Sequence, residues 1–156
     1  MRLGIDPGIT GAIALLDKDL RYVDIKDMPA IAGIGKRQQV NAAEVSRIVR
    51  VWKQLAGDEP IIAFVEQVAA MPGQGVSSMF SFGDSFGVIR GVLAASDIPL
   101  LLVHPRQWKQ RAGLIGTEKD KARTVAQNLY PAVPLARKKD IGRADALLIA
   151  RYGENK

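Results

Sequence analysis

The sequence predicts one α/β domain with a mixed β-sheet flanked by helices, and three observations lead to this fold class. Short apolar runs rich in β-branched residues, such as IIAFVE, alternate along the chain with stretches whose apolar residues recur at helical spacing. The opening segment instead reads as consecutive strands, which favours a sheet that mixes antiparallel and parallel pairs. A length of 156 residues with 47% hydrophobic content suits a single domain, residues 1–156, with a sizeable core.

The first part of the chain is predicted to form an antiparallel meander. Residues 2–6 and 12–16 are apolar, strand-like runs on either side of the PGITG turn, whose glycines permit a tight backbone. Residues 21–27 give a third strand, and the stretch 29–40 is expected to be a loop. The sheet therefore opens with three strands that follow one another directly.

A helix is predicted next, with Asn41 as its N-cap and Glu44 completing a capping box. Its apolar positions recur at helical spacing until Gly57 ends it; they are Val45, Ile48, Val49, Trp52 and Leu55. The remaining elements are buried strands at 61–66 and 100–103, helices at 77–95, 105–112, 117–129 (with Thr117 as N-cap) and 143–152, and a basic loop at 131–140.

Three acidic residues stand where apolar runs end or begin. Asp6 closes the first strand, Glu66 closes the strand at 61–66, and Asp145 opens the apolar segment DALLIA. If those two strands are adjacent, their acids project from neighbouring ends, and the final helix can bring the third acid to the same edge. Any one acid alone is more often a turn residue or a helix cap. Three that converge cannot all stay ionised without a cation, so the set predicts a Mg²⁺ site for phosphate chemistry.

Composition narrows the choice of metal and of partner. The chain has no cysteine and one histidine, His104, which excludes disulfides and a zinc site built on Cys and His. We therefore expect a hard metal bound by oxygen, Mg²⁺ or Mn²⁺. The net charge of +6 favours a polyanionic partner, nucleic acid before membrane.

The chain carries no feature that addresses it to a membrane. No apolar run approaches the ~20 residues of a membrane span. The first strand-like segment begins within the opening residues, which leaves no room for a signal peptide. We therefore expect an intracellular, cytoplasmic protein.

Four segments, GIDPGITG, VEQV, PRQWKQ with GLIGTEK, and GRADALLIA, resemble in order and spacing the motifs of the RuvC family of Holliday junction resolvases, part of the ribonuclease H-like superfamily. The tail GRADALLIARYG is most similar to phage-type and related bacterial members. The resemblance implies a ribonuclease H-like fold with a five-stranded mixed sheet. It also implies a homodimer in which each subunit nicks one of two opposed strands of four-way DNA, with Mg²⁺ or Mn²⁺, leaving ligatable ends in a bacterial or phage-infected cell.

Carried over position by position, the resemblance makes Asp6, Glu66 and Asp145 the catalytic acids and metal ligands. The family commonly has an Asp or His three residues before the last acid, where this chain has Gly142. Asp140 is the nearest substitute. It either reaches the metal as a fourth catalytic ligand or caps the final helix.

The resemblance also assigns contacts with DNA. Lys109 and Lys119 match family positions that contact the backbone near the active site, where ammonium groups bind phosphate and relieve charge in the transition state. The alternative for both is a solvated lysine on a helix surface. The family often has a base-stacking aromatic in the loop after Glu66; here Met71 or Phe80 would have to serve as an apolar wedge.

Other basic and ring-bearing residues receive less specific roles. Lys36 and Arg37 in one loop, and residues 137–139 in another, either attract DNA without specificity or are solvated surface. Arg143 is expected to brace a carboxylate through a bidentate pair. The ring-bearing residues expected to have structural or core roles are His104, Trp52 and Trp108, with a place near the metal left open for the histidine.

Two other function classes fit part of the sequence. GIDPGITGAIALLD also fits the first phosphate hairpin of actin-like ATPases and sugar kinases, but those proteins need a second, duplicated domain, so no nucleotide cofactor is expected. A module that recognises branched DNA without cutting it would keep the fold and the basic surface. A nuclease for forks, flaps or RNA-containing duplexes is a further alternative, because fold does not fix substrate.

Overall fold

The computed structural model describes residues 1–33, 37–69 and 72–154. Within these ranges no helix is both long and apolar enough to cross a bilayer. The strands are β1 (Arg2–Asp6), β2 (Ala12–Leu16), β3 (Tyr22–Asp27), β4 (Ala30–Ala32), β5 (Gln38–Val40), β6 (Ile62–Glu66) and β7 (Leu100–Val103). The helices are α1 (Ala42–Ala56), α2 (Val76–Ala95), α3 (Pro105–Arg111), α4 (Lys121–Leu129) and α5 (Ile141–Tyr152), with a 3₁₀ turn (Lys138–Asp140) before α5.

A five-stranded sheet in the order β3-β2-β1-β6-β7 forms the centre of the fold. β1 pairs antiparallel with β2 and parallel with β6, β7 continues parallel to β6, and β3 completes the meander on the other side. The predicted α/β class and the mixed five-stranded sheet are confirmed. Because β1 and β6 are parallel neighbours, their carboxyl ends lie side by side.

The two faces of the sheet pack on different helices because strand side chains alternate in direction. On one face, Leu3 and Ile5 of β1 share a core with residues of α1 and α2 such as Val45, Trp52 and Ile89. The predicted capping box of α1 is confirmed at its Asn41 side, since the amide of Glu44 donates to the Asn41 side chain over 3.2 Å.

On the other face, α5 lies closer to β1 than a side chain would allow. A Cβ atom added at Gly4 would lie 2.1 Å from the carbonyl oxygen of Ala146 and 2.4 Å from the amide nitrogen of Ala150. Only glycine fits at this point, and the alanines of the helix complete the close contact. The position of α5 relative to β1 is therefore fixed by backbone packing.

The stretch 29–40, predicted to be a loop, contains two short strands. β4 and β5 pair antiparallel, from Ala30 opposite Val40 to Ala32 opposite Gln38. All their residues except Val40 are exposed, so the alternation of buried and exposed positions that predicts a strand is absent. Leu55, predicted on the apolar stripe of α1, is also exposed because the stripe stops short of the last helical turn.

Two helix starts also differ from prediction. The helix expected from Thr117 begins at Lys121, because the Thr117 hydroxyl donates to the carbonyl of Leu114 over 2.9 Å and so closes the preceding turn. The final helix begins at Ile141, two residues earlier than predicted. It follows directly on the 3₁₀ turn, which the Asp140 carboxylate closes by accepting from the amide of Arg137 over 2.8 Å.

Candidate active site

Two of the predicted acids stand at the adjacent carboxyl ends of parallel strands. Asp6 is the last residue of β1 and Glu66 the last of β6, one step beyond the register pair Ile5 and Val65. Each points to the face that α5 covers, since Asp6 alternates with Gly4 and Glu66 with Phe64. The sequence-based expectation that these strands are neighbours is confirmed.

The third acid, Asp145, comes from α5, of which it is the fifth residue rather than the first. The helix reaches the site because Gly142 packs directly on the turn that follows Asp6. A Cβ atom at Gly142 would lie 2.3 Å from the carbonyl oxygen of Thr10 and 2.8 Å from the Cα of Gly11. The same contact leaves no room for an acidic side chain at position 142.

The three acids act on one another electrostatically. Burial and then the charges of Asp6 and Glu66 raise the pKa of Asp145 to about 7, although Lys109 and Lys119 oppose the rise. Burial also raises the pKa of Asp6, against the amide of Gly8, which donates to its carboxylate over 3.2 Å. Burial and then the charge of Asp6 raise the pKa of Glu66, against a hydrogen bond from Trp108. The acids thus form one group of partly desolvated carboxylates.

The chemistry of this group suits a hard divalent cation. Within the described ranges, none of the three carboxylates has an ion pair with a basic side chain within 4.0 Å, so no residue there neutralises them by direct contact. Their donors are oxygen atoms, the ligands that Mg²⁺ and Mn²⁺ prefer. As they stand, however, no three Asp, Glu, His or Cys side chains of the described residues are grouped closely enough to hold an ion. The acids share an electrostatic environment without forming a finished ligand set.

Lys109 and Lys119 lie beside Asp145, as the sequence predicted for residues near the active site. They line a cavity of about 280 Å³ whose other walls are Leu114, Thr117, Glu118, Ala122 and Asp145. Lys109 extends from α3 with its ammonium 5.2 Å from the centre of the Trp108 ring. The two ammonium groups share this small cavity with two carboxylates, Glu118 and Asp145, and are suited to a phosphate group held next to a metal.

Asp140 does not join this group, contrary to one of the two roles considered for it. Its side chain is 1% exposed, and both its oxygens accept from the guanidinium of Arg137, the shortest contact being 2.7 Å. That hydrogen bonding holds the pKa of Asp140 below its usual value, and Arg143 adds to the effect. The carboxylate is already neutralised by Arg137 and closes the 3₁₀ turn before α5. Asp140 occupies the N-cap position of α5, but its side chain makes no capping hydrogen bond to that helix.

The remaining predicted residues are spread around the site. Arg37 donates to the hydroxyl of Ser77 over 2.5 Å and borders a groove of about 800 Å³ between the Ile9–Thr10 turn and α2. Phe80, on α2, is 74% exposed. The other two predicted DNA contacts, Lys36 and Met71, lie outside the described residues.

Arg143 makes the bidentate pair predicted for it, with Asp27 at the end of β3. Its Nε and Nη2 atoms donate to the two carboxylate oxygens over 2.5 and 3.0 Å. His104 has a structural role, since its Nδ1 accepts from the amide of Arg106 and caps α3. Both residues fix the elements that carry the site without entering it.

One residue at the site was not identified from the sequence. Trp108 was expected only to fill the core, and it is fully buried, but its indole Nε1 also donates to Glu66 Oε1 over 2.9 Å. The two residues are 42 positions apart, so no local pattern joins them. Only the pairing of β6 with β7 and the start of α3 bring them together.

Comparisons with known proteins agree with this geometry. No family model matches the chain. The chloroplastic Holliday junction resolvase MOC1 of Chlamydomonas reinhardtii is 35% identical over 100 residues, which span 59% of this chain and 11% of that protein. The chain therefore covers only a small part of this relative's length.

Two solved structures of Thermus thermophilus RuvC match nearly the whole chain. One, in complex with a Holliday junction substrate, has a TM-score of 0.63 at 22% identity and covers 95% of this chain and 88% of that one. The other has a TM-score of 0.51 at 19% identity and covers 95% and 89%. The chain thus has the ribonuclease H-like fold of these RuvC structures, and the resemblance to the RuvC family predicted from its motifs is confirmed.

Proposed function

We propose that this protein is a metal-dependent endonuclease that resolves Holliday junctions, four-way DNA, by paired hydrolysis of phosphodiester bonds. The observation that carries the proposal is the group of three half-buried acids, Asp6, Glu66 and Asp145, beside the ammonium groups of Lys109 and Lys119. The names of the compared proteins support the substrate, because one is a Holliday junction resolvase and another was solved with such a junction.

Mg²⁺, with Mn²⁺ able to replace it, is the metal that we assign to the site. Asp6, Glu66 and Asp145 would hold it, and a cation would offset the repulsion among them that raises the pKa of Asp145. When bound, such a metal lowers the pKa of water and offsets charge on the reacting phosphate. Asp140 is left out of the ligand set because Arg137 already neutralises it.

The side chains of this protein bind and orient the phosphodiester. Lys109 and Lys119 contact its non-bridging oxygens and stabilise the charge that grows on them. Water loses a proton and forms a bond to phosphorus while the bond to the 3′ oxygen breaks, and that oxygen takes up a proton. The products are a 5′-phosphate and a 3′-hydroxyl, which a ligase can rejoin.

The groove beside the site is suited to a DNA strand that enters it. Its lining mixes polar and apolar groups and, among the described residues, carries no acid; the residues are Ile9, Thr10, Arg37, Gln38, Gln74, Ser77, Ser78, Ser81, Phe82 and Ser85. Hydroxyl, amide and guanidinium groups are common partners of phosphate oxygens. A Cβ atom added at Gly8 would lie 3.5 Å from the ring of Phe82 and 3.5 Å from the carboxylate of Asp6. The groove therefore leads to the acids. Phe80 stays the proposed apolar wedge.

A homodimer would place two such sites on one junction, and α2 offers the surface for it. Val76 is its most exposed apolar side chain, and Gly83, Gly87 and Gly91 stand at four-residue spacing with nothing within 4 Å of their Cβ positions. Glycine inside a helix costs about 0.5–1 kcal/mol relative to alanine. If the α2 helix of a second subunit packs closely on these glycines, the contact explains why glycine occupies positions where it costs helix stability.

A synthetic four-way junction with each strand end-labelled in turn tests the proposal. With Mg²⁺ we expect symmetric nicks in two opposed strands, and none with chelator or with Asp145→Asn. Asp58→Asn is the matched control, because Asp58 is exposed and removed from the acid group. Junction binding without cutting in Mg²⁺ or Mn²⁺ would favour the non-cleaving module instead. Faster cutting of forks, flaps or RNA-containing duplexes would assign one of these as the substrate instead of the four-way junction.

A further inference from the structure

We propose that Trp108 is a positioning residue of this active site, which orients Glu66 through its indole N–H and supports Lys109 through its ring. The inference rests on the proposed function and adds a residue to its machinery. It starts from the 2.9 Å hydrogen bond from Trp108 Nε1 to Glu66 Oε1.

The donor of this hydrogen bond is held rigidly. Trp108 lies in the middle of α3, is 0% exposed and belongs to the core cluster that also contains Phe64 and Val103. A closely packed indole cannot follow the movements of its partner. Glu66, at the end of β6, must therefore keep one oxygen at the indole. Groups that orient a ligating carboxylate in this way tune the metal it holds.

The same ring also touches the basic part of the site. The ammonium of Lys109 lies 5.2 Å from the ring centre, within the range of a cation–π contact. Trp108 and Lys109 are neighbours on one helix, so the ring restricts where the lysine can point. One side chain thus sets the geometry of both an acid and a cation that would face the phosphate.

The chain contains a matched control in its other tryptophan. Trp52 is 3% exposed, and its Nε1 donates over 3.0 Å to a carboxylate oxygen of Asp24. Asp24 is in β3, two strands away from β1 in the sheet. Substituting either tryptophan should therefore lower stability, because each loses packing and an indole–carboxylate hydrogen bond. Only substitution of Trp108 should also weaken the binding of metal and phosphate.

The test measures Mn²⁺ binding by titration calorimetry together with junction cleavage. Trp108→Phe keeps an aromatic ring and removes the N–H. We expect it to weaken Mn²⁺ binding by about 10–100-fold, as loss of an orienting partner does, and to lower kcat with little change in KM. Trp52→Phe should lower the melting temperature while leaving Mn²⁺ affinity and kcat as in the wild type.

A second variant removes the effect of the smaller ring. β-(3-Benzothienyl)alanine at position 108 keeps the shape of tryptophan with sulfur in place of N–H, and it should weaken Mn²⁺ binding as Trp108→Phe does. Wild-type Mn²⁺ affinity in this variant, or an equal loss in Trp52→Phe, overturns the inference while the proposed function stands. A wild-type protein that neither binds Mn²⁺ nor cuts the junction overturns both.

Discussion

Neutralising Asp145 should stabilise the metal-free protein, by an amount that depends on pH. The fold raises the pKa of this carboxyl from 3.8 to about 7, so the folded state holds a proton that the unfolded state releases at lower pH. Stability contributed by Asp145 is therefore complete at low pH and is lost as the pH rises from about 4 to 7. Above that range the charge costs the fold at most about 4 kcal/mol, since one pKa unit corresponds to about 1.36 kcal/mol.

Asp145→Asn removes this cost while keeping the shape of the side chain. For a chain of this length about 1 kcal/mol corresponds to about 2–4 °C, so in chelator at about pH 8 the variant should melt up to about 8–16 °C higher than the wild type. At about pH 5 the wild-type carboxyl is protonated, and the gain should fall to about 2 kcal/mol or less. Thermal unfolding by circular dichroism at both pH values measures the difference, with Asp58→Asn as control.

Mg²⁺ should reduce the difference in melting temperature between the two proteins. At about pH 8 the metal should raise the melting temperature of the wild type, because it binds the folded acids, and should do little for Asp145→Asn. The reasoning is refuted if the variant melts no higher than the wild type in chelator, or if its gain is the same at both pH values.

Three further predictions concern the DNA contact, the packing of α5 and the dimer. Junction affinity should fall steeply with salt, and Lys109→Met should reduce the slope of log affinity against log salt by about 1. Lys121→Met, on the exposed side of α4, should change this slope less. Equal slopes for all three proteins would count against the assignment. Gly142→Ala should lower stability by about 1–3 kcal/mol through its clash with the Thr10 carbonyl, and an unchanged denaturant midpoint would argue against the close packing. Gly87→Gln should leave the monomer folded, because its Cβ position is open, but should abolish a dimer formed through α2; sedimentation that still detects a dimer would place the interface elsewhere.

The parts of the fold that follow from the sequence are those set by local pattern. The strands at Asp6 and Glu66 are apolar runs, and the helix that carries Asp145 has a clear apolar stripe, so both the sheet and the three acids could be predicted. The capping interaction at Asn41 is also local, since donor and acceptor are three residues apart.

The parts that escaped prediction depend on contacts between distant residues or on competing hydrogen bonds. β4 and β5 have no apolar face, and only their pairing with each other marks them as strands. Thr117 has the chemistry of an N-cap but bonds back to Leu114 instead. For Asp140 the choice between ligand and structural role is made by a competing hydrogen bond from Arg137, three residues away, which the sequence does not distinguish from a metal contact.

The central claim is that Asp6, Glu66 and Asp145 bind one or more divalent cations when the metal is supplied. Anomalous diffraction from a crystal soaked in Mn²⁺ tests it directly. We predict an anomalous peak at coordination distance from oxygens of all three carboxylates, next to Lys109 and Lys119. A crystal with full access to Mn²⁺ and no peak between these acids would contradict the account.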